Sequence, residues 1–130
     1  VKAKENIKLY TNNRIAKLQG ENDFDGIIAV ADEMLAVNPQ DALAQKIRLQ
    51  ALFDKKDYAG VIASAEEAAA GQTDEEERSD VYFILGAAYN ARTMPQQAID
   101  ALSKVTAGAN VAAAQKTVAQ LKENAAKANS

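Results

Sequence analysis

Apolar residues recur through most of this chain at the three- and four-residue spacing of amphipathic helices. Short polar segments with Gly, Pro, Asn or Asp interrupt this pattern, as expected where helices end and begin. The interruptions lie at Gly20, Asn38-Pro39, residues 55–57, Gly71, around Pro95 and at Gly108. The pattern therefore predicts seven helices in antiparallel pairs, the first of them over about residues 3–19.

The chain also repeats itself at an offset of 34 residues. Residues 23–29 read DFDGIIA and residues 57–63 read DYAGVIA, and matching pairs such as Leu18 with Leu52 continue on both sides. A fixed period of this length indicates a solenoid of helix hairpins, in which each unit buries its apolar face against its neighbour. We therefore expect one all-α domain over residues 1–130. Its hairpins are predicted at about 3–38, 41–71 and 75–108, followed by a capping helix at about 110–127.

Polar residues at the predicted helix starts support these boundaries. Asp41 is expected to cap the third helix through its side chain. Thr73 with Glu76, and Thr93 with Gln96, have the spacing of capping boxes. The acidic run that contains Glu76 is then a first helical turn, where carboxylates offset the helix dipole, and not a binding patch.

Two aromatic residues and a set of alanines are predicted to hold the hairpins together. Phe24 and Tyr58 occupy equivalent positions at the turn between paired helices, where they would fill the corner. Small residues would let the paired helices approach closely. These small residues are Ala29, Ala31, Ala63, Ala65, Ala98 and Ala101.

Charge is balanced along the chain, since 15 Lys and Arg residues and 18 Asp and Glu residues give a net charge of -3. A nucleic-acid-binding surface needs a basic face, which this distribution does not supply. A mean hydropathy of -0.29 and the lack of a long uncharged apolar run argue against membrane insertion. The last helix is a poor membrane-surface anchor, because its apolar face is mostly Ala. We expect neither a nucleic-acid partner nor membrane insertion.

The chain contains no His and no Cys. It therefore lacks the most versatile acid–base group near neutral pH, the commonest nitrogen metal ligand and any thiolate. Residues 21–26 followed by Asp32 approach a calcium-binding loop, with oxygen-bearing side chains at alternate positions and Gly at the sixth. The first and twelfth ligands are missing, and the twin segment at 57–60 keeps few of the others. We expect no enzymatic activity, no catalytic residues, no metal and no cofactor.

A further motif lies in the third unit. It consists of Tyr82, Leu85, Gly86 and Tyr89, followed by Ala98 and Leu102. In these residues the unit resembles a tetratricopeptide repeat. The first two units resemble that family at their inter-helix turns, but Ile15 and Leu49 stand where the family has Gly. Over residues 7–108 the resemblance implies a right-handed helical solenoid whose first helices line a concave groove.

The resemblance further implies that the groove binds a peptide or protein segment. The lining that it implies comprises Asn12, Asn13, Ala16, Leu43, Lys46, Ile47, Gln50, Phe53, Phe83, Ile84, Ala87, Asn90 and Ala91. Tyr82 and Leu85 already supply the core face of the fifth helix, which leaves Phe83 and Ile84 to a ligand or to a neighbouring helix. The Lys and Arg residues with which some family members hold a terminal carboxylate are missing, so an acidic C-terminal peptide is not the favoured ligand.

The expected function is that of a non-enzymatic module that binds another protein or a peptide. The alternative is a structural or oligomerisation scaffold of a larger protein with no ligand in the groove. The oligomeric state stays open. The lack of Cys, the abundance of Ala, Asn and Gln, and the start at Val1 favour a processed bacterial envelope protein over a cytoplasmic one, although a trimmed cytosolic chain would share these features.

Overall fold

The computed structural model describes residues 13–128, and every helix or strand assigned in that range is an α-helix. Residues 13–20 belong to α1. The later helices are α2 (Phe24–Val37), α3 (Ala42–Asp54), α4 (Tyr58–Gly71), α5 (Glu75–Ala91), α6 (Pro95–Leu102) and α7 (Val111–Ala128). The prediction of an all-α chain with seven helices is confirmed for this part of the sequence.

Helices that follow one another in sequence pack against one another from α2 through to α7. In addition α3 contacts α5, so the first helices of neighbouring pairs touch directly. Buried residues form two clusters, one centred on α3, α4 and α5 and the other on α6 and α7. Tyr82 and Tyr89 of α5 pack against both clusters and join them.

The turn between paired helices recurs three times with the same backbone geometry. Its central residue has a positive φ, which is 56° at Asn22, 66° at Lys56 and 59° at Thr93. The next amide donates to a carbonyl five residues earlier, the 6→1 bond of a Schellman motif. These bonds are Asp23 N to Leu18 O (2.9 Å), Asp57 N to Leu52 O (2.8 Å) and Met94 N to Tyr89 O (2.9 Å). The turns are therefore spaced by 34 and 37 residues, in agreement with the sequence repeat.

Aspartate side chains cap α2, α3 and α4. Asp23 Oδ1 accepts from Gly26 N at 2.9 Å, and Asp57 Oδ1 accepts from Gly60 N at 3.0 Å. Asp41 Oδ1 accepts from Ala44 N at 3.1 Å, which confirms its predicted role. Each cap satisfies an amide that has no partner within the helix.

Both predicted capping boxes are wrong. Asp74, and not Thr73, caps α5, since its Oδ1 accepts from Glu76 N at 2.8 Å. Thr93 cannot cap α6, because it already adopts the left-handed conformation that ends α5. The N-cap of α6 is Met94, which makes no side-chain capping bond, and Pro95 opens that helix.

Close helix approach is clearest between α5 and α6. A Cβ added at Gly86 would lie 2.5 Å from Leu102 Cγ, so a larger residue at this crossing would require the Leu102 side chain to shift. The predicted small contacts hold at four positions, Ala31, Ala65, Ala98 and Ala101, all of which are buried. Ala29 and Ala63 are exposed, so neither of them forms a buried contact.

The corner aromatics Phe24 and Tyr58 are half-buried. Tyr58 packs against the cluster of α3, α4 and α5, and its ring meets that of Phe53 edge to face with 5.6 Å between centroids. Tyr58 therefore lies at the corner, as predicted, and its ring packs with that of Phe53 at the α3–α4 turn.

The loop between α6 and α7 is fixed to α5. Buried Ser79 Oγ accepts hydrogen bonds from Thr106 N at 3.1 Å and from Ala107 N at 3.2 Å. Thr106 Oγ1 also donates to Glu75 Oε1 at 2.7 Å. These bonds place the start of α7 beside the first half of α5.

We expect Gly86→Ala to lower the free energy of unfolding by about 1–2 kcal/mol. The overlap with buried Leu102 costs about 1–3 kcal/mol, and the gain in helix propensity of about 1 kcal/mol offsets it only in part. The matched control is Gly20→Ala in α1, where an added Cβ meets no atom within 4 Å and where stability should rise. Urea denaturation of both variants checks this, and a stabilised Gly86→Ala protein would contradict the close contact.

We expect Thr93→Gly to raise the free energy of unfolding by about 1 kcal/mol. A β-branched side chain at positive φ is strained by about 1–2 kcal/mol, and part of the relief is lost to the greater freedom of Gly in the unfolded chain. The control is Ala63→Gly at an exposed position inside α4, which should lower stability by about 1 kcal/mol. Thermal unfolding of the two variants should give shifts of opposite sign, and two shifts of the same sign would contradict this turn geometry.

Candidate functional site

Four of the predicted groove residues line a single concave surface. Leu43, Lys46, Ile47 and Gln50 of α3 face α1 across a groove of about 230 Å³, which also includes Gln19 and Asp54. Its floor is formed by buried Ile27 of α2 and buried Ala51 of α3. We call this surface the α1–α3 groove.

The α1–α3 groove is largely apolar at one end and polar at the other. Leu43 is 44% exposed, which is high for a large aliphatic side chain, and Ile47 lies one helical turn farther along α3. Gln50 Nε2 donates to Asp54 Oδ1 at 3.0 Å, which orients both side chains at the far end. The groove therefore has room for an apolar side chain of another segment beside the polar backbone of that segment.

The remaining predicted residues of the first two units are Asn12, Asn13, Ala16 and Phe53. Asn12 lies outside the described residues, and Asn13 and Ala16 are exposed on α1. Phe53 does not line the groove, because its ring packs on Tyr58 at the α3–α4 turn.

On α5 the structure separates the predicted pair. Ile84 is only 8% exposed and belongs to the cluster of α3, α4 and α5. Phe83 is half-buried and packs against the cluster of α6 and α7. Both side chains thus contact neighbouring helices, the second of the two possibilities that the sequence left open. Ala87 is half-buried, while Asn90 and Ala91 are exposed near the end of α5, away from the α1–α3 groove.

A chain of polar contacts closes the space between α3, α5 and α7. Lys46 Nζ lies 2.6 Å from Glu77 Oε2 and 2.8 Å from Asp80 Oδ2. Asp80 uses its other oxygen, Oδ1, to accept from Asn110 Nδ2 at 3.0 Å. We call these four residues the polar ladder. It links α3 and α5 to Asn110, the residue that precedes α7.

The sequence repeat explains why the groove is open while the neighbouring space is closed. Positions 37 residues before Glu77 and Asp80, the offset of the second and third turns, hold Gln40 and Leu43. Both residues are uncharged, so they cannot form with α1 the ion pairs that Glu77 and Asp80 form with α3. The space between α1 and α3 is therefore an apolar groove, whereas the equivalent space between α3 and α5 contains the polar ladder.

The ammonium of Lys46 is stabilised by its two carboxylate partners. Partial burial is the largest single effect and lowers the pKa of Lys46, but hydrogen bonds and charge attraction from Asp80 and Glu77 together outweigh it. The pKa of Lys46 is therefore raised above its ordinary value of 10.5. Lys46 is protonated at neutral pH and held away from any groove ligand that would need a free cation.

The loop considered for calcium has its carboxylates engaged in other contacts. Asp23 caps α2, and Asp25 Oδ1 accepts from Lys55 Nζ at 2.6 Å. In the described range no group of three or more Asp, Glu, His or Cys side chains is arranged to hold a metal ion. The geometry of the loop is thus accounted for by helix capping and an ion pair between hairpins.

A second groove, of about 520 Å³, lies between α6 and α7 and was not predicted. Its apolar side chains include Leu102, Val111 and Val118, and Gln115 and Lys122 lie at its rim. Val111 and Val118 are half-buried. Their spacing of seven residues in the last helix, which places both on one helix face, was the signal available in the sequence.

None of the helices over residues 13–128 is long and apolar enough to cross a bilayer. In comparisons with known proteins, no family model matches the chain, and no curated protein matches it either.

We expect Lys46→Met to lower the free energy of unfolding at neutral pH by about 1 kcal/mol, because it leaves two half-exposed carboxylates facing each other. The folded-state pKa is raised, so the contribution of Lys46 is complete below pH 10.5 and is lost as the pH rises through the folded-state value. The difference between wild type and variant should therefore be constant below pH 10 and shrink above pH 10.5.

Urea denaturation across this pH range measures the difference directly. The control is Lys116→Met on exposed α7, which should change stability by less than about 0.5 kcal/mol at any pH. A difference at Lys46 that stays constant above pH 11 would show that the ammonium charge does not act through the polar ladder.

Proposed function

We propose that this chain is a non-catalytic protein-interaction module built as a right-handed, tetratricopeptide-like solenoid. It binds a protein or peptide segment in the α1–α3 groove. The observation that carries the proposal is a largely apolar groove, left open by residues 13–128, with exposed Leu43 at its edge.

The repeat architecture is supported by three features of the fold. The inter-helix turn recurs with the same hydrogen bonds at Asn22, Lys56 and Thr93. Consecutive helices pack on one another, and α3 contacts α5 as first helices do in a stack. Gly86 lies against Leu102 at the positions that carry the family resemblance.

The chemistry of the groove suits an extended segment. Leu43 and Ile47 offer an aliphatic surface for one or two apolar side chains. The amides of Gln19 and Gln50 lie beside this surface, where they can bond to a peptide backbone without reading its side chains. Such a site combines modest selectivity with adaptable hydrogen bonding.

A second candidate is a scaffold role, in which the chain associates with a second copy of itself through α7. The favouring observation is the α6–α7 groove, which presents Val111 and Val118 at the last helix of the stack. In this case the α1–α3 groove has no ligand.

Site-specific photo-crosslinking distinguishes the two candidates. A benzophenone amino acid is placed at Gln50 in the α1–α3 groove or, as the matched position, at Gln115 in the α6–α7 groove. We expect irradiation in the native host to yield a heterologous adduct from Gln50 that disappears when Leu43→Asp is added. Leu43 lies in the first turn of α3, where a new carboxylate does not oppose the helix dipole.

The helical content of Leu43→Asp, measured by circular dichroism, should equal that of the parent. An adduct from Gln50 that is unaffected by Leu43→Asp would contradict binding in the groove. Adducts from Gln115 alone, with the mass of two copies of the chain, would favour the scaffold role instead.

A further inference from the structure

We propose that the segment bound in the α1–α3 groove carries a Lys or Arg side chain about three residues from an apolar one. This inference rests on the proposed function and specifies the class of partner. It follows from the charges around the groove and from their spacing along α3.

Carboxylates outnumber cations among the charged residues that line the α1–α3 groove or form the polar ladder. Asp54, Glu77 and Asp80 contribute three negative charges and Lys46 one positive charge, so these four residues carry a net charge of -2. Lys46 is fully engaged by Glu77 and Asp80 and cannot neutralise Asp54 as well. A cationic partner therefore meets an attractive field, and an anionic partner meets a repulsive one.

Asp54 is the carboxylate that faces the ligand. It lines the groove and accepts one hydrogen bond, from Gln50 Nε2, but within residues 13–128 it forms no ion pair. By contrast, Asp25 of α2, another exposed carboxylate, is already paired with Lys55, the residue that follows Asp54. An incoming ammonium or guanidinium would supply the charge partner that Asp54 lacks.

The distance along α3 sets the spacing in the ligand. Ile47 and Asp54 are seven residues apart on the helix, which corresponds to about 10 Å along its axis. An extended peptide rises about 3.3 Å per residue, so this distance equals about three residues of ligand. An apolar side chain on Ile47 thus places a cation three positions away beside Asp54.

Four synthetic hexapeptides test this spacing and charge. The parent peptide is acetyl-Ala-Leu-Ala-Ala-Arg-Ala-amide, and the others replace Arg by Gln, Arg by Glu, or Leu by Ser. Binding is followed by amide shift changes of the isotope-labelled chain at α1 and α3. We expect the Arg peptide to bind about fivefold more tightly than the Gln peptide and more tightly still than the Glu peptide. The Arg preference should weaken as salt is added.

Two variants assign the effect to one carboxylate. Asp54→Asn should weaken the Arg peptide about fivefold, to the affinity of the Gln peptide, and leave the Gln peptide unchanged. Asp100→Asn, at an exposed position on α6, is the matched control and should change neither. An Arg preference that survives Asp54→Asn would overturn the assignment to Asp54.

The outcomes separate this inference from the proposed function. If the Gln or Glu peptide shifts the groove residues as strongly as the Arg peptide does, the charge preference is wrong while groove binding stands. If no Leu-containing peptide shifts residues of α1 or α3 at millimolar concentration, both are wrong.

Discussion

The structure depends on how closely the paired helices can approach. Gly86 admits Leu102 to the surface of α5, and buried Ala31, Ala65, Ala98 and Ala101 serve the same purpose along the second helices. At such short range, many dispersion contacts form between small side chains and the neighbouring helix. The core therefore needs few large aromatic residues, and the chain contains no Trp and only three Phe residues. Because each helix is fixed by its neighbours in sequence, the positions of the first helices, and hence of any surface between them, follow from these contacts.

The candidate site arises from a difference between hairpins and not from a feature that all of them share. Where α3 meets α5, Lys46 joins Glu77 and Asp80, and Asn110 extends these contacts to α7. Where α1 meets α3, the corresponding positions carry no such charges, so the two helices leave an apolar groove. A repeat protein can therefore acquire a site by omitting a contact from one unit, at no cost to the turns and caps that the units share.

Much of the fold could be predicted from the sequence, because periodicity and local capping are properties of short segments. The seven helices and the cap at Asp41 follow from such patterns. The roles of Thr73 and Thr93 could not be derived, since Asp74 competes for the cap and the turn after α5 takes Thr93 into the left-handed region. For the site, the α3 positions could be predicted from the resemblance. The contacts of Phe83 and Ile84 could not be predicted, because the two side chains pack against different clusters of helices.

The central claim is that an apolar side chain of another molecule rests on α3 inside the groove. Intermolecular nuclear Overhauser effects from the methyl groups of Leu43 and Ile47 test it most directly, measured on the methyl-labelled chain in complex with its captured partner. The account predicts cross-peaks from both residues to one partner side chain and none from Val118 on α7. Cross-peaks from Val118 together with none from Leu43 or Ile47 would contradict binding in the α1–α3 groove.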